Sequence, residues 1–504
     1  MSGPRPEDST RADFGDEPVL SAAERTLRGV PSEVPDDPIR NVYYVAFVAA
    51  LGGLLYGYDT GVISGTLIQI AQDFGITESY ELLGATFSGH TVQEAITASI
   101  LVGAVIGALG AGWVAVRFGR RATIIAVAVI FAVGVVLAGM SPEPLTLIGS
   151  RLLLGLAVGG CTQTIPTYIA ELSPPERRGG FVTFFNVAIG LGILSAALVN
   201  VVFQDAGWHW KIVVAVVPAV LLIIGMLRAP ESPRWLVNND HVNAARMVLR
   251  WVRRDGEAAD DEVGEIRHVL RRENEAEGGP WSALGEAWLR PALVAGLAVA
   301  VFTQITGLEM MIYYTPVILS TVGFSSDFSL WANVGVGVVY VVMTAVGKLV
   351  VDRLGRRHLM LTMLPGSAVS IALFGLVFLV SGDRPNPWLA LALLLAFMFF
   401  QAGGIQVVGW LLGSEIYPLR IRPAATGLHA ASLWGANLLV TSTALTLVNA
   451  LSLGGAMLVY AALNVLALVV IYFRVPETKG RSLETIERSL QRGTFLPETA
   501  QSRS

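Results

Sequence analysis

The sequence predicts an all-α membrane protein in which twelve transmembrane helices form two parallel six-helix halves, joined by a cytoplasmic helical linker. The first observation is composition: of 504 residues, 53% are hydrophobic and only 15% are charged, whereas a soluble domain carries about 25% charged residues. The second is that apolar stretches of about 20 residues, long enough to cross a bilayer, recur along the chain. The third is a set of short charged motifs that occurs once in each half.

Twelve segments are apolar and long enough to span a membrane, six on each side of a polar segment at 229–290. The predicted transmembrane segments are 43–68, 91–116, 122–140, 145–170, 181–203, 211–228, 291–320, 328–350, 357–380, 387–413, 424–448 and 453–474. The predicted domains are a tail at 1–40, a bundle at 41–228, the linker at 229–290, a second bundle at 291–475 and a tail at 476–504.

The segments outside the two bundles are polar. Residues 1–40 are rich in Pro, Ser and acidic side chains, a composition that cannot bury enough apolar surface to fold. They also lack the basic start and short apolar core of a signal peptide. Apolar residues recur with helical spacing at 244–251 and 263–270, which predicts short surface helices in the linker. A solvated linker with only nascent helices is the alternative.

Charge and cysteine content argue against several other classes of protein. The net charge of -4 gives no reason to expect a nucleic acid as partner. The single cysteine, Cys161, excludes a disulfide framework and a cysteine zinc site. A membrane enzyme has little support, because His, Asp and Glu do not cluster on one helix. ATP-driven pumping is also disfavoured, since the chain has no phosphate-binding glycine loop.

Basic residues lie mainly in the loops that follow even-numbered segments, and Lys211 and Arg384 are the exceptions in the other loops. Because short cytoplasmic loops carry an excess of Lys and Arg, these loops and both termini are predicted to face the cytoplasm. The chain is therefore expected to be a multi-pass protein of the cell membrane. The basic residues concerned are Arg117, Arg120, Arg121, Arg177, Arg178, Arg353, Arg356, Arg357, Arg420 and Arg422.

Three motifs occur in both halves of the chain. An Arg-x-Gly-Arg-Arg motif follows segments 2 and 8, a glutamate followed by Pro and Arg follows segments 4 and 10, and Pro-Glu-[Ser/Thr] follows segments 6 and 12. The matched residues are Gly119 and Gly355, Glu171 and Glu415, and Pro230 and Pro476, which lie 236, 244 and 246 residues apart. This spacing indicates a six-span unit duplicated in parallel. One large class of secondary transporters consists of two such parallel six-span halves, and its substrate site lies where the halves meet.

Six longer motifs extend this pattern: GYDTGVISG at 57–65, RLLLG at 151–155, PESPRWL at 230–236, QITG at 304–307, SEIYP at 414–418 and PETKG at 476–480. In sequence and order they resemble the sugar porter family of the major facilitator superfamily, over about residues 43–485. The resemblance implies the major facilitator fold. It also implies transport of a hexose, pentose, polyol or inositol through one site that opens to each side of the membrane in turn.

The resemblance leaves the mechanism open between proton symport and passive uniport, because the family contains both. A non-transporting sugar sensor is less favoured, since such proteins usually add long cytoplasmic extensions and the tails here have only about 40 and 30 residues. No cofactor is expected beyond a coupling proton, no enzymatic activity is expected, and the protein is expected to be monomeric. Several amides that contact hexoses in the family are altered, so an inositol or another polyol is as plausible a substrate as a hexose or pentose.

Asp59 is the first candidate for proton coupling. It lies deep in segment 1, where a carboxylate costs about 2.5–3.5 kcal/mol and therefore needs a partner or a proton. The resemblance implies that the partner is Arg151 in segment 4. Such a pair can act as a switch, because proximity to the arginine favours the charged carboxylate and burial favours the neutral one. A fixed salt bridge between segments 1 and 4 is the alternative.

Sugar binding calls for amides, which both donate and accept hydrogen bonds, and for aromatic rings, which lie against apolar sugar faces. The resemblance implies a substrate site formed by Gln304, Trp410, Trp434, Asn437, Tyr313, Tyr314 and Asn186. It also implies that segment 10 is broken at Trp410. Glu309 stands where family members have an asparagine; we expect it to face the central cavity with Gln304, because Gly307 allows a local break in the helix. A glutamate paired with a neighbouring helix is the alternative.

Charged residues at the helix ends of the arginine-rich side are predicted to form a cytoplasmic gate. Ion pairs there can tie the halves together when the transporter is open to the outside and separate when it opens inward. The predicted gate residues are Arg120, Arg121, Glu171, Arg177, Glu231, Arg234, Asp352, Arg356, Arg357, Glu415, Arg420 and Glu477.

Overall fold

The structure is a computed structural model, and it describes residues 29–30, 38–76, 78–82, 84–174, 177–253, 256–275, 280–321, 323–381, 385–418, 421–481 and 483–497. Most of the predicted N-terminal tail lies outside these ranges, as does Arg420. Within them the chain is mostly helical, and eleven helices are long and apolar enough to cross a membrane.

The N-terminal half contains six membrane-crossing segments. They are α1 (Pro38–Asp73), α2 (Gly89–Phe118), α3 (Arg120–Gly139), α4 (Pro144–Leu172), α5 (Arg178–Val202), and the sixth segment made of α6 (Trp208–Val213) and α7 (Val216–Arg228). A two-stranded antiparallel hairpin, β1 (Ser79–Leu82) and β2 (Ala85–Ser88), joins α1 to α2. This hairpin was not predicted, because short polar strands outside the membrane leave no long apolar signal.

The linker forms α8 (Pro233–Asn238), α9 (Val242–Val252), α10 (Gly256–Glu275) and α11 (Pro280–Ala283). Helices α8 and α9 pack against α4 and α1 of the N-terminal half. Arg253 pairs with Glu262 at 2.8 Å and donates to the carbonyl oxygen of Leu172 at the end of α4. Asn41, at the start of α1, donates to the carbonyl oxygen of Trp251. The helical linker is therefore confirmed over the described residues, in preference to a solvated one.

The C-terminal half repeats the arrangement of the first. It contains α12 (Arg290–Ile305), α13 (Leu308–Thr321), α14 (Ser326–Leu354), α15 (Arg356–Ser381), α16 (Pro387–Gly403), α17 (Ile405–Glu415) and α18 (Arg422–Arg474), and α19 (Leu483–Gln491) follows. Helix α18 reverses at Ser452, whose backbone angles (φ 64°, ψ 166°) are not helical. It therefore supplies two crossings, and the predicted segments 11 and 12 are both present. The fold class of two six-helix halves is confirmed.

Two of the C-terminal segments are interrupted near their middle. Segment 7 divides into α12 and α13 around Gly307, whose φ of 104° is favourable only for glycine. Segment 10 divides into α16 and α17 at Gly404, which has φ -109° and ψ -103°. The expected break at Trp410 is therefore wrong by six residues; Trp410 lies inside α17. The break falls at Gly404 because the consecutive glycines at 403 and 404 lower the cost of leaving the helix.

Among the described residues, the main contacts between the halves are those of α2 with α18, α5 with α14, and α1 with α13. We call the end of the bundle with the Gly119 and Gly355 loops the arginine end, and the opposite end, with β1 and β2, the hairpin end. Inside each half, small residues allow helices to approach closely. A Cβ on Gly155 of α4 would overlap the carbonyl oxygen of Ile100 on α2, so these two backbones are in contact.

Candidate functional site

Asp59 of α1 and Arg151 of α4 form a buried pair inside the N-terminal half. Their side chains are 3% and 1% exposed, and each Asp59 oxygen lies 3.4 Å from an Arg151 nitrogen. This is longer than the 2.7–2.9 Å of a strong charge-assisted bond. The Nε of Arg151 donates to the carbonyl oxygen of Ile96 at 2.7 Å, which fixes the guanidinium on α2. The structure thus brings the two residues together, and their role in proton coupling stays a prediction.

A tyrosine connects the neighbourhood of this pair with the C-terminal half. The hydroxyl of Thr60, next to Asp59, lies 3.4 Å from the hydroxyl of Tyr313 on α13. Tyr314, the next residue, donates from its hydroxyl to the carbonyl oxygen of Thr441 at 2.8 Å. Both tyrosines therefore lie at the interface between the halves, because the side chain of Tyr314 also makes a hydrogen bond with that of Thr97 on α2.

The centre of the molecule contains buried polar atoms that have no hydrogen-bond partner within the described part of the chain. They are Oε1 of Gln304, Oε2 of Glu309 and Nε1 of Trp434, on side chains that are 3%, 2% and 2% exposed. Glu309 lies beside the amide of Asn437, which also accepts from Thr441. Unpaired buried polar groups are rare in proteins because each costs about 1–3 kcal/mol. A ligand rich in hydroxyl groups would satisfy them.

Aromatic rings surround these polar atoms and span both halves. Trp434 contacts Tyr56 of α1 edge-on, with ring centroids 5.2 Å apart. Trp434 also contacts Trp410, at 6.3 Å between ring centroids. The three rings form an apolar wall of the kind that packs against a sugar ring.

The break at Gly307 is held by polar residues that the sequence analysis missed. Gln401 donates from Nε2 to the hydroxyl of Thr306 at 2.6 Å, and Asn464 donates to the carbonyl oxygen of Thr306 at 2.8 Å. Ser367 in turn donates to Asn464 at 2.8 Å. These bonds satisfy the backbone where the helix opens. Glu309 then lies in the first turn of α13 and is 2% exposed, and its role in substrate binding stays a prediction.

A narrow cleft of about 20 Å³ lies between the halves, and its lining residues extend from Tyr56 at the centre to Lys348 toward the arginine end. Asn186 and Trp410, two predicted substrate residues, lie in its wall. Its other lining residues are Ile189, Tyr340, Thr344, Lys348, Gln406 and Val407, which the sequence analysis did not assign. Lys348 could have been found, because a charged side chain inside an apolar segment is a functional candidate by default.

At the hairpin end, Glu94 of α2 and Thr446 of α18 form a contact that we call the latch. Glu94 is 3% exposed and accepts from the backbone nitrogen of Thr446 at 2.8 Å and from its hydroxyl at 2.6 Å. These bonds join the two halves. Beyond them lies a surface cleft of about 290 Å³, lined by residues that include His90 of the N-terminal half and Ser320 of the C-terminal half. The latch therefore closes the interface between this surface cleft and the centre of the molecule.

Substituting Glu94 with Ala is expected to let the halves separate at the hairpin end. Hydrogen bonds to a charged group are worth about 1.5–3 kcal/mol, so the open fraction should rise about tenfold or more. A reporter, Ser320→Cys, gives the measurement: its labelling rate by a membrane-impermeant maleimide should rise with Glu94→Ala. Cys161 does not interfere, because it is the only natural cysteine and is buried. Glu143→Ala, at an exposed acid of the same end, is the control; equal labelling rates in all three backgrounds would contradict the latch.

The arginine end is built twice with the same geometry. Gly119 and Gly355 have φ of 98° and 96°, and both have ψ of 159°. Each precedes a helix whose first backbone nitrogens are capped by a glutamate from the end of the same half. Glu231 accepts from the nitrogens of Arg120 and Arg121 at 2.8 and 3.1 Å. Glu477 accepts from the nitrogens of Arg356 and Arg357 at the same two distances.

The two capping carboxylates differ in their surroundings. Burial raises the pKa of Glu231, and the backbone hydrogen bonds of Ser232, Arg121 and Arg120 only partly oppose this effect. Burial acts in the same direction on Glu477, but hydrogen bonds from the backbone of Lys479 and from His358 outweigh it and lower the pKa. As the pH falls, the cap of the N-terminal half is therefore protonated first.

The ion pairs at this end lie within each half. Arg120 pairs with Glu171 at 3.1 Å in the N-terminal half. Arg356 pairs with Glu415 at 2.7 Å and with Asp352 at 2.9 Å in the C-terminal half. The predicted tie between halves is therefore not made by these pairs in this structure, and its formation in an outward-open state stays a prediction.

The remaining predicted gate residues lie at different positions at the arginine end. Arg121 donates to the carbonyl oxygens of Met226 and Leu227 at the end of α7, and Arg357 donates to the carbonyl oxygen of Tyr472. Arg177 is exposed and Arg234 is half-buried. Arg420 lies outside the described residues.

The geometry is that of a membrane bundle with one polar site between two repeated halves. The sequence model of a family described as sugar (and other) transporter matches residues 45–490. The chain belongs to this family. The transporter is 36% identical over 461 residues to the galactose-proton symporter of Escherichia coli K12, a match that covers 90% of this chain and 96% of that protein. It is 35% identical over 454 residues to the major myo-inositol transporter of Bacillus subtilis, with 89% and 94% covered.

Solved structures agree with this assignment. The transporter resembles the partially occluded inward-open conformation of the xylose transporter XylE from E. coli, with a TM-score of 0.76 and 28% identity over 88% of this chain and all of that one. A structure of the proton:xylose symporter XylE with bound 6-bromo-6-deoxy-D-glucose is matched with the same TM-score, over 89% of this chain. The membrane transporter fold predicted from the sequence is confirmed.

Proposed function

We propose that this transporter is a proton-coupled symporter of a monosaccharide or polyol, in the class of inositols, pentoses and hexoses, in the cell membrane. The observation that carries the proposal is the buried Asp59–Arg151 pair beside a central site of unpaired polar atoms. Relatives with galactose-proton and proton:xylose symport in their names support it. The positive-inside rule assigns the arginine end and both termini to the cytoplasm, and the protein acts as a monomer.

The coupling follows from electrostatics in a medium of low dielectric constant. When Asp59 is ionised, it attracts Arg151, which the carbonyl oxygen of Ile96 holds on α2. When Asp59 takes a proton, this attraction is lost and α1 is freer to move relative to α4. Because α1 also carries Tyr56 and Thr60, which face Trp434 and Tyr313 of the other half, the proton and the substrate favour the same change in the interface.

The substrate is bound by residues of both halves. Gln304, Glu309, Asn437 and Trp434 supply hydrogen-bonding atoms from the C-terminal half, and Asn186 lies on the facing wall of the cleft. The closed latch at the hairpin end and the cleft toward the arginine end support an inward-facing assignment for this conformation. Release of the latch and closure of the cleft would expose the same site to the outside.

Transport by the purified protein in liposomes tests the proposal. A panel of labelled pentoses, hexoses, inositol and linear polyols is offered with and without a pH difference that is acidic outside. We expect at least one of them to accumulate above its equilibrium level only with the pH difference, and to make the medium alkaline on addition. Equilibration at equal rates with and without the gradient would indicate passive uniport, and the absence of any transport would indicate a sensor.

Replacing Glu309 with Gln is expected to change substrate affinity and its pH dependence. The carboxylate is buried beside Asn437 with one oxygen unpaired among the described residues. Loss of a charged acceptor should raise the half-saturating substrate concentration about tenfold. The measurement is uptake across mildly acidic to mildly alkaline pH, with Glu143→Gln at an exposed position as control. An unchanged affinity, rate and pH profile would remove Glu309 from the site.

A further inference from the structure

The cleft between the halves contains a cation that has no close counter-ion in the described part of the chain. Lys348 lies on α14, lines the cleft, and has a buried Nζ with no hydrogen-bond partner among the residues that the structure describes. Asp352, one helical turn farther along, is the acid that acts on it electrostatically. The side chain of Asp352 is 75% exposed, however, and already pairs with Arg356 at 2.9 Å. Lys348 therefore has no committed counter-ion among the described residues, and an anion that enters the cleft would supply one.

Lys348 shares this narrow cleft with other buried polar atoms. Oε1 of Gln406 and Oγ1 of Thr344 are buried in the same cleft without partners among the described residues, and Nε2 of Gln406 donates to the hydroxyl of Tyr340 at 3.3 Å. Asn186 and the ring of Trp410 complete the wall. A lysine ammonium has three donors and no acceptor, and its burial without an anion is unfavourable. An anionic group in the cleft would compensate it, while the amides and hydroxyls bind neutral polar groups.

We propose that Lys348 forms an anion subsite and that the substrates of this transporter include a sugar acid, a monosaccharide derivative with one carboxylate such as an aldonate or a uronate. The proposal rests on the proposed function and specifies the substrate class of the same site. One lysine offers a single compact positive charge, which matches a monoanion. A sugar phosphate carries about -1.5 to -2 charges at neutral pH, and the described residues that line the cleft include no second cation.

The positions of Lys348 and Glu309 also suggest how a sugar acid would be oriented in the cleft. Glu309 acts electrostatically on Tyr340, which lines the same cleft on the side of the molecular centre. Lys348 lies farther along α14, toward Asp352 and the arginine end. The carboxylate of a sugar acid would therefore point toward the arginine end, and its hydroxyl groups toward Gln304, Glu309 and Trp434.

Uptake by the reconstituted protein tests this inference with labelled gluconate and glucuronate beside labelled glucose, xylose and inositol. We expect uptake of at least one sugar acid. Lys348→Met should raise its half-saturating concentration about tenfold or more, because a charged hydrogen bond is lost, and should leave that of a neutral substrate nearly unchanged. Lys348→Arg should retain a large part of the affinity for the acid. Lys479→Met, at an exposed lysine of the arginine end, is the matched control.

Each outcome decides between the inference and its alternatives. If the wild type transports neutral sugars while gluconate and glucuronate are neither transported nor competitive, the anion subsite is wrong and the proposed function stands. If Lys348→Met weakens acid and neutral substrates equally, or neither, Lys348 has a structural role and the inference is again wrong. If no compound is transported by the wild type, the proposed function fails, and this inference fails with it.

Discussion

Accumulation of substrate against its gradient should be abolished when Asp59 is replaced by Asn, whereas exchange of labelled for unlabelled substrate should continue. The asparagine side chain has nearly the same shape as that of the aspartate but binds no proton in the physiological range. The proton then no longer contributes to the conformational change, and the pH difference cannot drive uptake. Exchange needs only binding and the movement of the loaded carrier, which the central site supports through residues other than Asp59.

The substitution also leaves Arg151 as a buried charge whose remaining partner is the carbonyl oxygen of Ile96. Breaking a buried pair by removing one partner costs about 3–5 kcal/mol, so we expect a lower yield of folded protein for this reason alone. The double variant Asp59→Asn/Arg151→Gln removes both charges and should restore the yield of folded protein without restoring accumulation. This pattern distinguishes lost coupling from lost folding.

Asp327→Asn is the matched control for Asp59→Asn, because it makes the same chemical change at an exposed position in the first turn of α14. It should leave accumulation, exchange and substrate-induced alkalinisation unchanged. Proton-driven accumulation that survives in Asp59→Asn at the wild-type level would show that the coupling proton binds elsewhere, with Glu309 as the next acid to test.

The second large effect concerns stability. Gly155→Ala should strongly destabilise the N-terminal half, because the new Cβ would overlap the carbonyl oxygen of Ile100 and lie 2.8 Å from the Cα of Gly103. Overpacking typically costs about 1–3 kcal/mol, and here the obstacle is backbone, which cannot rotate away as a side chain can. We expect a cost near or above the upper end of that range. Arg151, one turn earlier on α4, would move with the helix, so coupling should weaken as well.

Gly149→Ala provides the comparison on the same helix, since no atom lies within 4 Å of a Cβ at that position in the described structure. Alanine is favoured over glycine in a helix by about 0.5–1 kcal/mol, so this variant should be as stable as the wild type or slightly more stable. The measurement is the temperature at which half of the detergent-solubilised protein is lost from the monodisperse peak. Equal midpoints for the two variants would contradict the close contact of α2 and α4.

Much of the candidate site could be predicted from the sequence because a bilayer makes polar residues costly. Asp59, Arg151, Gln304 and Glu309 stand out in apolar segments, and Gly307 indicated the break that places Glu309 in the interior. Lys348 carried the same signal but was not assigned a role, since it lies outside the motifs on which the resemblance depends. Residues inside the family motifs were therefore assigned roles, and Lys348, which no motif contains, was not.

Other features could not be predicted because they depend on which atoms meet across the interface. The latch joins Glu94 and Thr446, which are 352 residues apart in the chain, and no local pattern records that distance. The network of Gln401 and Asn464 around Thr306 likewise joins three transmembrane segments. The expected tie between halves at the arginine end was inferred from charges at helix ends, but the structure pairs those charges within each half.

The sequence by itself determined the twelve crossings, the duplication and the identity of the buried ionisable residues. Each of these follows from the free energy of placing residues in lipid or from motifs repeated along the chain. Only the tertiary structure decided which polar atoms of the described residues are left unpaired at the centre, that segment 10 breaks at Gly404, that Lys348 lines the cleft and that Glu94 and Thr446 join the halves at the hairpin end. These depend on distances between segments remote in the chain, which are set by close packing of helices and not by the composition of any one helix.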